Sequence, residues 1–324
     1  MTHRLKQHEF QADRLIKEYP PRWNGRNKMA IFDIACSRPY PCEGRIVYTR
    51  WAEMPPSLEG TPEAGLFLAK RGVFDYGPSD ALSTVWHLNF ADPDLFVAYS
   101  SSLLAQDELQ VAEHPVLGSL REALEAIGES PRTVDTSGRP TPITISGVQR
   151  RCVISTMPTV RNPWGLYGNE FARADEKQVR AATKALTPPT ITNILAMAAP
   201  ALGSGYYTGE QLSCVLNTAY TGFVAAKLAS TFIDSPTKRV IIHTGFWGCG
   251  AFGGNRTVMT ILQCLAADLA GVDLVFWAFN DPGLQIVCEA RAAYSQLIAP
   301  SSSADKILHK IREMDFEWGE SDGN

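Results

Sequence analysis

The segment best suited to ligand chemistry is a glycine-rich stretch, residues 245–254, with the sequence GFWGCGAFGG. Five of its ten residues are glycine, so the backbone can adopt positive φ angles and approach a ligand closely. A predicted strand precedes the segment and a predicted helix follows it, and a helix N-terminus carries partial positive charge. The segment therefore predicts a diphosphate-binding loop, with a tight strand-to-helix connection that binds nothing as the alternative.

The same loop also has the glycine spacing of a dinucleotide fingerprint, at Gly248, Gly250 and Gly253. A Rossmann fingerprint follows the first strand of its unit, and an acidic residue ends the next strand about 20 residues later. Here the loop lies late in the chain, and Asp281 lies further on than that rule requires. An NAD-dependent oxidoreductase is therefore a minor alternative.

A second group of reactive side chains consists of carboxylates. Asp107 and Glu108 are adjacent at the predicted start of a helix, and Asp92 follows a predicted strand. Adjacent carboxylates at a helix start are stabilised by the dipole but repel each other, and burial would raise the pKa of one into the range of a general acid or base. A solvated acidic helix start is the alternative.

Strands and helices must bring these groups together. The predicted strands cover residues 30–35, 45–48, 85–90, 151–156, 191–198, 239–244 and 272–279, and the predicted helices cover residues 104–113, 117–127, 209–228, 256–269, 283–297 and 304–314. Because several strands are almost entirely apolar, helices should cover both faces of their sheet. The pattern predicts a three-layer α/β/α sandwich over residues 29–316, with residues 1–28 as an N-terminal helical extension and residues 317–324 as a disordered tail.

Composition limits the classes of partner. A net charge of -4 over 324 residues argues against direct binding of nucleic acid. The seven cysteines are scattered without C-x-x-C spacing, which favours the cytoplasm, or the nucleus in a eukaryote. The sequence has no apolar run of membrane-spanning length and its histidines have no metal-binding spacing. We expect no cofactor, no metal and no membrane partner.

With both features in view, the chain resembles the catalytic domain of poly(ADP-ribose) glycohydrolase, a macrodomain with additional helices. The family's sequence T-G-x-W-G-C-G-A-F-G-G is complete over residues 244–254. The family's Q-E-E before a helix is similar to residues 106–108, and the resemblance covers about residues 70–300. It implies a mixed central sheet and a site for ADP-ribose.

The resemblance also assigns roles to residues of that site. For the diphosphate it implies Gly245, Gly248, Gly250, Ala251, Phe252 and Gly253, with Trp247 and Cys249 as further contacts of the ligand. The aromatic rings of Trp247 and Phe252 could close over the ribose and diphosphate or belong to the core. For the adenine end it implies Phe74, Asp75, Tyr167 and Phe279, with Gln106 as a further contact. For catalysis it implies Asp107 and Glu108.

Three departures from the family pattern lie near the expected ribose. The family's glycine triplet is replaced by Phe96, Val97 and Ala98, its Asn by Asp92 and its first Glu by Asp107. Bulky side chains cannot approach a ribose as glycines can, and the additional carboxylate could hold a cationic leaving group. The departures predict an ADP-ribosyl glycohydrolase whose substrate is mono-ADP-ribosyl-arginine on a modified protein.

The cleavage needs an acid for the leaving group and help for the incoming water. Glu108 is the predicted acid, and no metal is expected. Asp107 is predicted to hold the ribose hydroxyls or to orient the substrate, and Asp92 to support the guanidinium or to share a proton with Glu108. The expected partners are ADP-ribose and an ADP-ribosylated protein. Two alternatives stay open: a glycohydrolase of the polymer, and a macrodomain that binds ADP-ribose without hydrolysing it.

Overall fold

The computed structural model describes residues 3–37, 43–77, 82–160, 162–233, 239–298 and 302–323. Within these ranges the chain forms eight strands: β1 (Arg4–Gln11), β2 (Arg45–Trp51), β3 (Phe67–Lys70), β4 (Ser83–Phe90), β5 (Ile143–Ile154), β6 (Thr183–Met197), β7 (Arg239–Gly245) and β8 (Asp273–Trp277).

The same residues form ten helices: α1 (Ala12–Glu18), α2 (Arg26–Ala35), α3 (Gln106–Glu113), α4 (Val116–Ala126), α5 (Glu170–Arg173), α6 (Glu176–Ala182), α7 (Gly209–Ile233), α8 (Arg256–Ala270), α9 (Asp281–Leu297) and α10 (Ala304–Arg312). Over the described ranges, no helix combines the length and the apolar character that crossing a membrane would need.

The eight strands form one mixed sheet in the order β1-β2-β5-β6-β4-β7-β8-β3. Strands β6, β4, β7, β8 and β3 are parallel to one another, whereas β5, β2 and β1 extend the sheet in antiparallel pairs. The carboxyl ends of the parallel strands therefore meet at one edge, where sheets of this kind bind their ligands.

Strand β6 shows that both faces of the sheet are covered. Leu195 and Met197 pack in a core with residues of α7 and α8, whereas Ile194 and Ala196 pack in a second core with residues of α1 and α4. Alternate residues of a strand point to opposite faces. The predicted three-layer α/β/α arrangement with a mixed central sheet is confirmed.

Three local predictions differ from the structure. Residues 30–35 belong to helix α2, not to a strand, because a short apolar run has the same appearance in a buried helix and in a buried strand. The N-terminal residues begin with strand β1, which pairs with β2 at the edge of the sheet, so they are not purely helical. Residues 317–323, predicted to be disordered, contact the glycine-rich loop. The other predicted strands and helices overlap observed ones.

Candidate active site

A cavity of about 520 Å³ lies at the carboxyl ends of β4, β7 and β8, and its wall includes both the glycine-rich loop and the adjacent carboxylates. Most of the site residues predicted from the sequence line it: Phe74, Asp92, Gln106, Asp107, Glu108, Tyr167, Gly245, Trp247, Gly248, Cys249, Gly250, Ala251, Phe252 and Phe279. Asp75 and Gly253 are not among the lining residues. The fold thus brings the two predicted chemical groups into one cavity.

The glycine-rich loop follows a path that side chains would block. Gly248 has a φ of 76°, and a Cβ atom there would lie 2.5 Å from the Cβ atom of Ala199. Gly253 has a φ of 69°. The amide of Gly254 donates to the carbonyl of Gly248 at 2.8 Å, which closes the loop. Two of the glycines are therefore required by the backbone itself, as the sequence predicts.

The loop also presents groups that attract an anion. Among the described residues, no acceptor takes a hydrogen bond from the amides of Gly250, Ala251 or Phe252. Helix α8 begins directly after the loop, and the side chain of Asn255 caps it by accepting from the amide of Thr257 at 3.0 Å. Helix N-termini favour negative charge. Free amides and a helix start together form a suitable site for a diphosphate.

Trp247 holds the loop to the sheet. Its ring is fully buried, and its indole N–H donates to the carbonyl of Met197 at 2.9 Å. Gln263 adds a second connection, because its amide donates to the carbonyl of Gly245 at 3.1 Å and its oxygen accepts from the Thr244 hydroxyl at 2.5 Å. The Trp247 ring is therefore part of the core and does not cover a ligand.

The predicted catalytic carboxylates are buried and held by hydrogen bonds. Asp107 is 7% exposed, and its Oδ1 accepts from the side-chain amide of Asn89 at 2.9 Å. Glu108 is 4% exposed, and its Oε2 accepts from the amide of Ala105 at 3.0 Å. Because both carboxylates are buried, the solvated helix start is not the arrangement that the structure adopts.

In the described part of the chain, no group of three His, Cys, Asp or Glu side chains is arranged to hold a metal ion.

Gln106 positions these carboxylates. Its side-chain oxygen accepts from the amide of Phe90 at 2.7 Å, and its side-chain nitrogen donates to the carbonyl of Leu88 at 3.0 Å. Both partners belong to β4. The side chain therefore joins the first turn of α3 to the end of the strand.

Burial changes the protonation of this region. It raises the pKa of Asp107 and of Glu108, and the charge of Glu108 raises the pKa of Asp107 further. Lys28, a buried residue of α2, acts in the opposite direction on both carboxyl groups. Its ammonium group donates to the carbonyl of Tyr99 at 2.8 Å, and burial lowers its pKa to about 8. A carboxyl group with a raised pKa is suited to act as a general acid.

The segment that replaces the family's glycine triplet does not crowd the cavity as its residue types suggest. Phe96 has a φ of 58° and is fully buried in the core beneath α4. Only Val97 and Ala98 of the three line the cavity. Asp92 lies beside them, and its Oδ1 accepts from the amide of Asp94 at 2.9 Å. The replacement of the glycine triplet therefore adds only Val97 and Ala98 to the cavity wall.

Another part of the cavity wall is aromatic. The rings of Tyr167 and Phe279 lie 5.9 Å apart with a 55° angle between their planes, and Phe279 has a φ of 61°. The side chain of Asp75 is exposed, whereas its neighbours Phe74 and Tyr76 line the cavity. The structure brings together the predicted aromatic contacts but not the predicted acidic one.

Residues 156–286, less than half of the chain, match the family model "Poly (ADP-ribose) glycohydrolase (PARG), Macro domain fold". This part of the chain is therefore similar to the macrodomain of poly(ADP-ribose) glycohydrolases. The matched part contains the glycine-rich loop, Tyr167 and Phe279, whereas Asp107 and Glu108 precede it.

Two curated relatives agree with the family model. Over 118 residues the chain is 33% identical to "Poly(ADP-ribose) glycohydrolase 1" of Caenorhabditis elegans, covering 35% of this chain and 13% of that protein. Over 86 residues it is 31% identical to "Poly(ADP-ribose) glycohydrolase 2" of the same organism, covering 25% of this chain and 18% of that protein. The chain thus corresponds to a small part of each relative's length.

Solved structures of poly(ADP-ribose) glycohydrolases show a distant similarity. The enzyme from Thermomonospora curvata is 14% identical with a TM-score of 0.45, over 88% of this chain and 85% of that one. The enzyme from Deinococcus radiodurans in complex with ADP-ribose is 12% identical with a TM-score of 0.41, over 90% and 96% of the two chains.

Three residues of this site were not assigned from the sequence. Asn89 and Lys28 contact or face the carboxylates, and Arg256 lines the cavity beside the glycine-rich loop. The position of Arg256 at the first turn of a helix after a phosphate-type loop was an available signal. Nothing in the local sequence connects Lys28 with Glu108, because the contact depends on how α2 packs.

Proposed function

We propose that this protein is an ADP-ribosyl glycohydrolase, which cleaves the bond between a modified group and the anomeric carbon of a terminal ADP-ribose. The observation that carries the proposal is the placement of two buried carboxyl groups and a glycine-rich anion loop in the wall of one cavity. The match of residues 156–286 to the glycohydrolase family supports it.

We place each part of ADP-ribose in one region of the cavity. The diphosphate lies on the amides of residues 250–252, near the start of α8 and the guanidinium of Arg256. The adenine packs against Tyr167 and Phe279, because flat aromatic rings stack on bases. The distal ribose then extends towards Asp107 and Glu108.

The reaction breaks the bond between the anomeric carbon and the leaving atom, and it adds water to that carbon. Glu108, whose pKa is raised by burial, gives its proton to the leaving atom, which also keeps the electron pair of the broken bond. The electron-poor sugar carbon accepts the oxygen of water, and the proton released from that water returns to the carboxylate of Glu108. Asp107, oriented by Asn89, is placed to accept hydrogen bonds from the ribose hydroxyls.

For the substrate, we propose mono-ADP-ribosyl-arginine on a protein. Asp92 lines the cavity close enough to affect the pKa of both Asp107 and Glu108, and a carboxylate there can pair with the guanidinium of the leaving group. Val97 and Ala98 narrow the same region relative to glycines. Hydrolysis of the polymer is the second candidate. Phe96 does not line the cavity, so Val97 is the only sizeable side chain of residues 96–98 in its wall.

The deciding experiment incubates the protein with arginine-linked and serine-linked mono-ADP-ribose and with polymer, and it measures free ADP-ribose. Release from the arginine-linked substrate above all others supports the proposal in full. Equal or faster release from polymer would make the polymer the substrate, and the proposed reaction class would stand. Binding of ADP-ribose without release from any substrate would identify a non-catalytic reader.

A further inference from the structure

The last described residues of the chain, 316–323, run across the glycine-rich loop. The carbonyl of Phe316 accepts from the amide of Tyr207 at 2.9 Å, and the amide of Trp318 donates to the carbonyl of Gly205 at 2.8 Å. The carbonyl of Glu317 accepts from the side chain of Asn255, the cap of α8, at 3.0 Å. Backbone hydrogen bonds on both sides therefore fix the segment beside the start of α8.

Trp318 anchors this segment. Its ring stacks on that of Tyr207, with centroids 4.3 Å apart and a 10° angle between the planes. Its indole N–H donates to Gln211 at 3.3 Å. The hydroxyl of Tyr207 in turn accepts from the amide of Asn255 at 3.0 Å, so the anchor and the loop share a partner.

Beyond the anchor, the segment covers two glycines of the loop. A Cβ atom at Gly253 would lie 3.1 Å from the carbonyl oxygen of Gly319, and one at Gly250 would lie 3.4 Å from a carboxylate oxygen of Asp322. The amide of Asp322 donates to the carbonyl of Gly250 at 3.4 Å. Asp322 also lines the cavity.

These contacts place a carboxylate beside the amides that suit a diphosphate. We propose that residues 319–323 act as an internal pseudo-ligand, with Asp322 next to the position of a phosphate, and that ADP-ribose must displace them to bind. The inference rests on the proposed role of the loop in holding the diphosphate. Two negative groups at one site repel each other, so the segment lowers the affinity of the open site for anions.

The test compares ADP-ribose affinity by calorimetry for the wild type, Asp322→Asn and Glu320→Gln. Both substitutions remove one negative charge from an exposed residue of the same segment, but Glu320 does not line the cavity. We expect Asp322→Asn to bind about threefold to fivefold more tightly, the size of effect expected for one partly exposed charge pair. Glu320→Gln should bind as the wild type does, and the gain should shrink in high salt.

Hydrogen exchange gives a second measurement that does not require catalysis. Addition of ADP-ribose should speed exchange at the amides of residues 319–323 while it slows exchange in the glycine-rich loop. Slower exchange in both segments, or weaker binding by Asp322→Asn, would mean that Asp322 contacts the ligand as a favourable partner, and the proposal would be wrong.

Failure of this inference can be separated from failure of the proposed function. If the wild type binds and hydrolyses but Asp322→Asn gains no affinity, only the pseudo-ligand is refuted. If Asp322→Asn binds more tightly and no substrate is hydrolysed, only the hydrolase is refuted. If neither the wild type nor a variant lacking residues 319–324 binds ADP-ribose, both proposals are wrong.

Discussion

Replacement of Lys28 by Met tests the electrostatics of the site most directly. Lys28 is 1% exposed, and burial lowers its pKa from 10.5 to about 8. Because this base has a lower pKa in the folded state, the unfolded chain holds a proton that the folded chain has lost between these two values. The free energy of unfolding therefore rises with pH in that window.

The size of the effect follows from the shift. Between pH 7.5 and pH 10, this single group should add about 2 kcal/mol to the free energy of unfolding of the wild type. Lys28→Met lacks this gain, although it also leaves the carbonyl of Tyr99 without its donor, at a pH-independent cost of about 1–3 kcal/mol. The difference in free energy of unfolding between the wild type and Lys28→Met should therefore change by about 2 kcal/mol between pH 7.5 and pH 10.

Urea unfolding at the two pH values measures that difference, with Lys310→Met as the control because Lys310 is exposed on α10. Kinetics give a second measurement. Without the cation that favours the ionised form of Glu108, the pH at which this acid loses its proton rises, so the alkaline limb of kcat/KM should move to higher pH. Two results together would show that Lys28 has no electrostatic influence on the site. The effect of Lys28→Met on the free energy of unfolding would change with pH no more than that of Lys310→Met, and the alkaline limb of kcat/KM would not move.

Four further changes test the remaining assignments. Glu108→Gln should lower kcat by about a hundredfold or more while ADP-ribose affinity stays within a few-fold, and equal kcat for both proteins would exclude Glu108 as the acid. Gly248→Ala combines positive φ with a Cβ atom only 2.5 Å from the Cβ atom of Ala199 and should cost about 3 kcal/mol in urea unfolding, against about 1 kcal/mol for Gly128→Ala, which has positive φ but open space around it. Phe279→Ala should weaken ADP-ribose binding about tenfold in calorimetry through lost stacking, and unchanged affinity would move the adenine elsewhere. Asp92→Asn should slow release from arginine-linked substrate more than from serine-linked substrate, and equal rates would remove Asp92 from the guanidinium site.

The sequence predicted the parts of the site that depend on local backbone. The glycine-rich loop could be located because its positive φ angles, its strand and its capped helix all follow from adjacent residues. The pair of Asp107 and Glu108 could be located for the same reason, since a helix start is a local feature. Their burial was predicted only as a condition for their chemistry, because it depends on what packs above them.

The features that were missed depend on packing between distant segments. Helix α2 was mistaken for a strand, and with it the position of Lys28 behind the carboxylates was lost. Phe96 was predicted to crowd the ribose, but a phenylalanine at positive φ turns into the core when a cavity for it exists there. The ring of Trp318 stacks on that of Tyr207 and so holds the C-terminal segment in place. The polar residues around Trp318 in the sequence did not suggest this contact.

The burial of Trp247 has a consequence for the thermodynamics of binding. Because its ring fills the core and its N–H is bonded to β6, we expect the loop to keep its shape when a ligand binds. Ordering a loop on binding costs conformational entropy, and a preorganised loop avoids that cost. The entropy lost by the protein on binding should therefore be small at the loop, and differences in affinity between ligands should arise mainly at the two ends of the cavity.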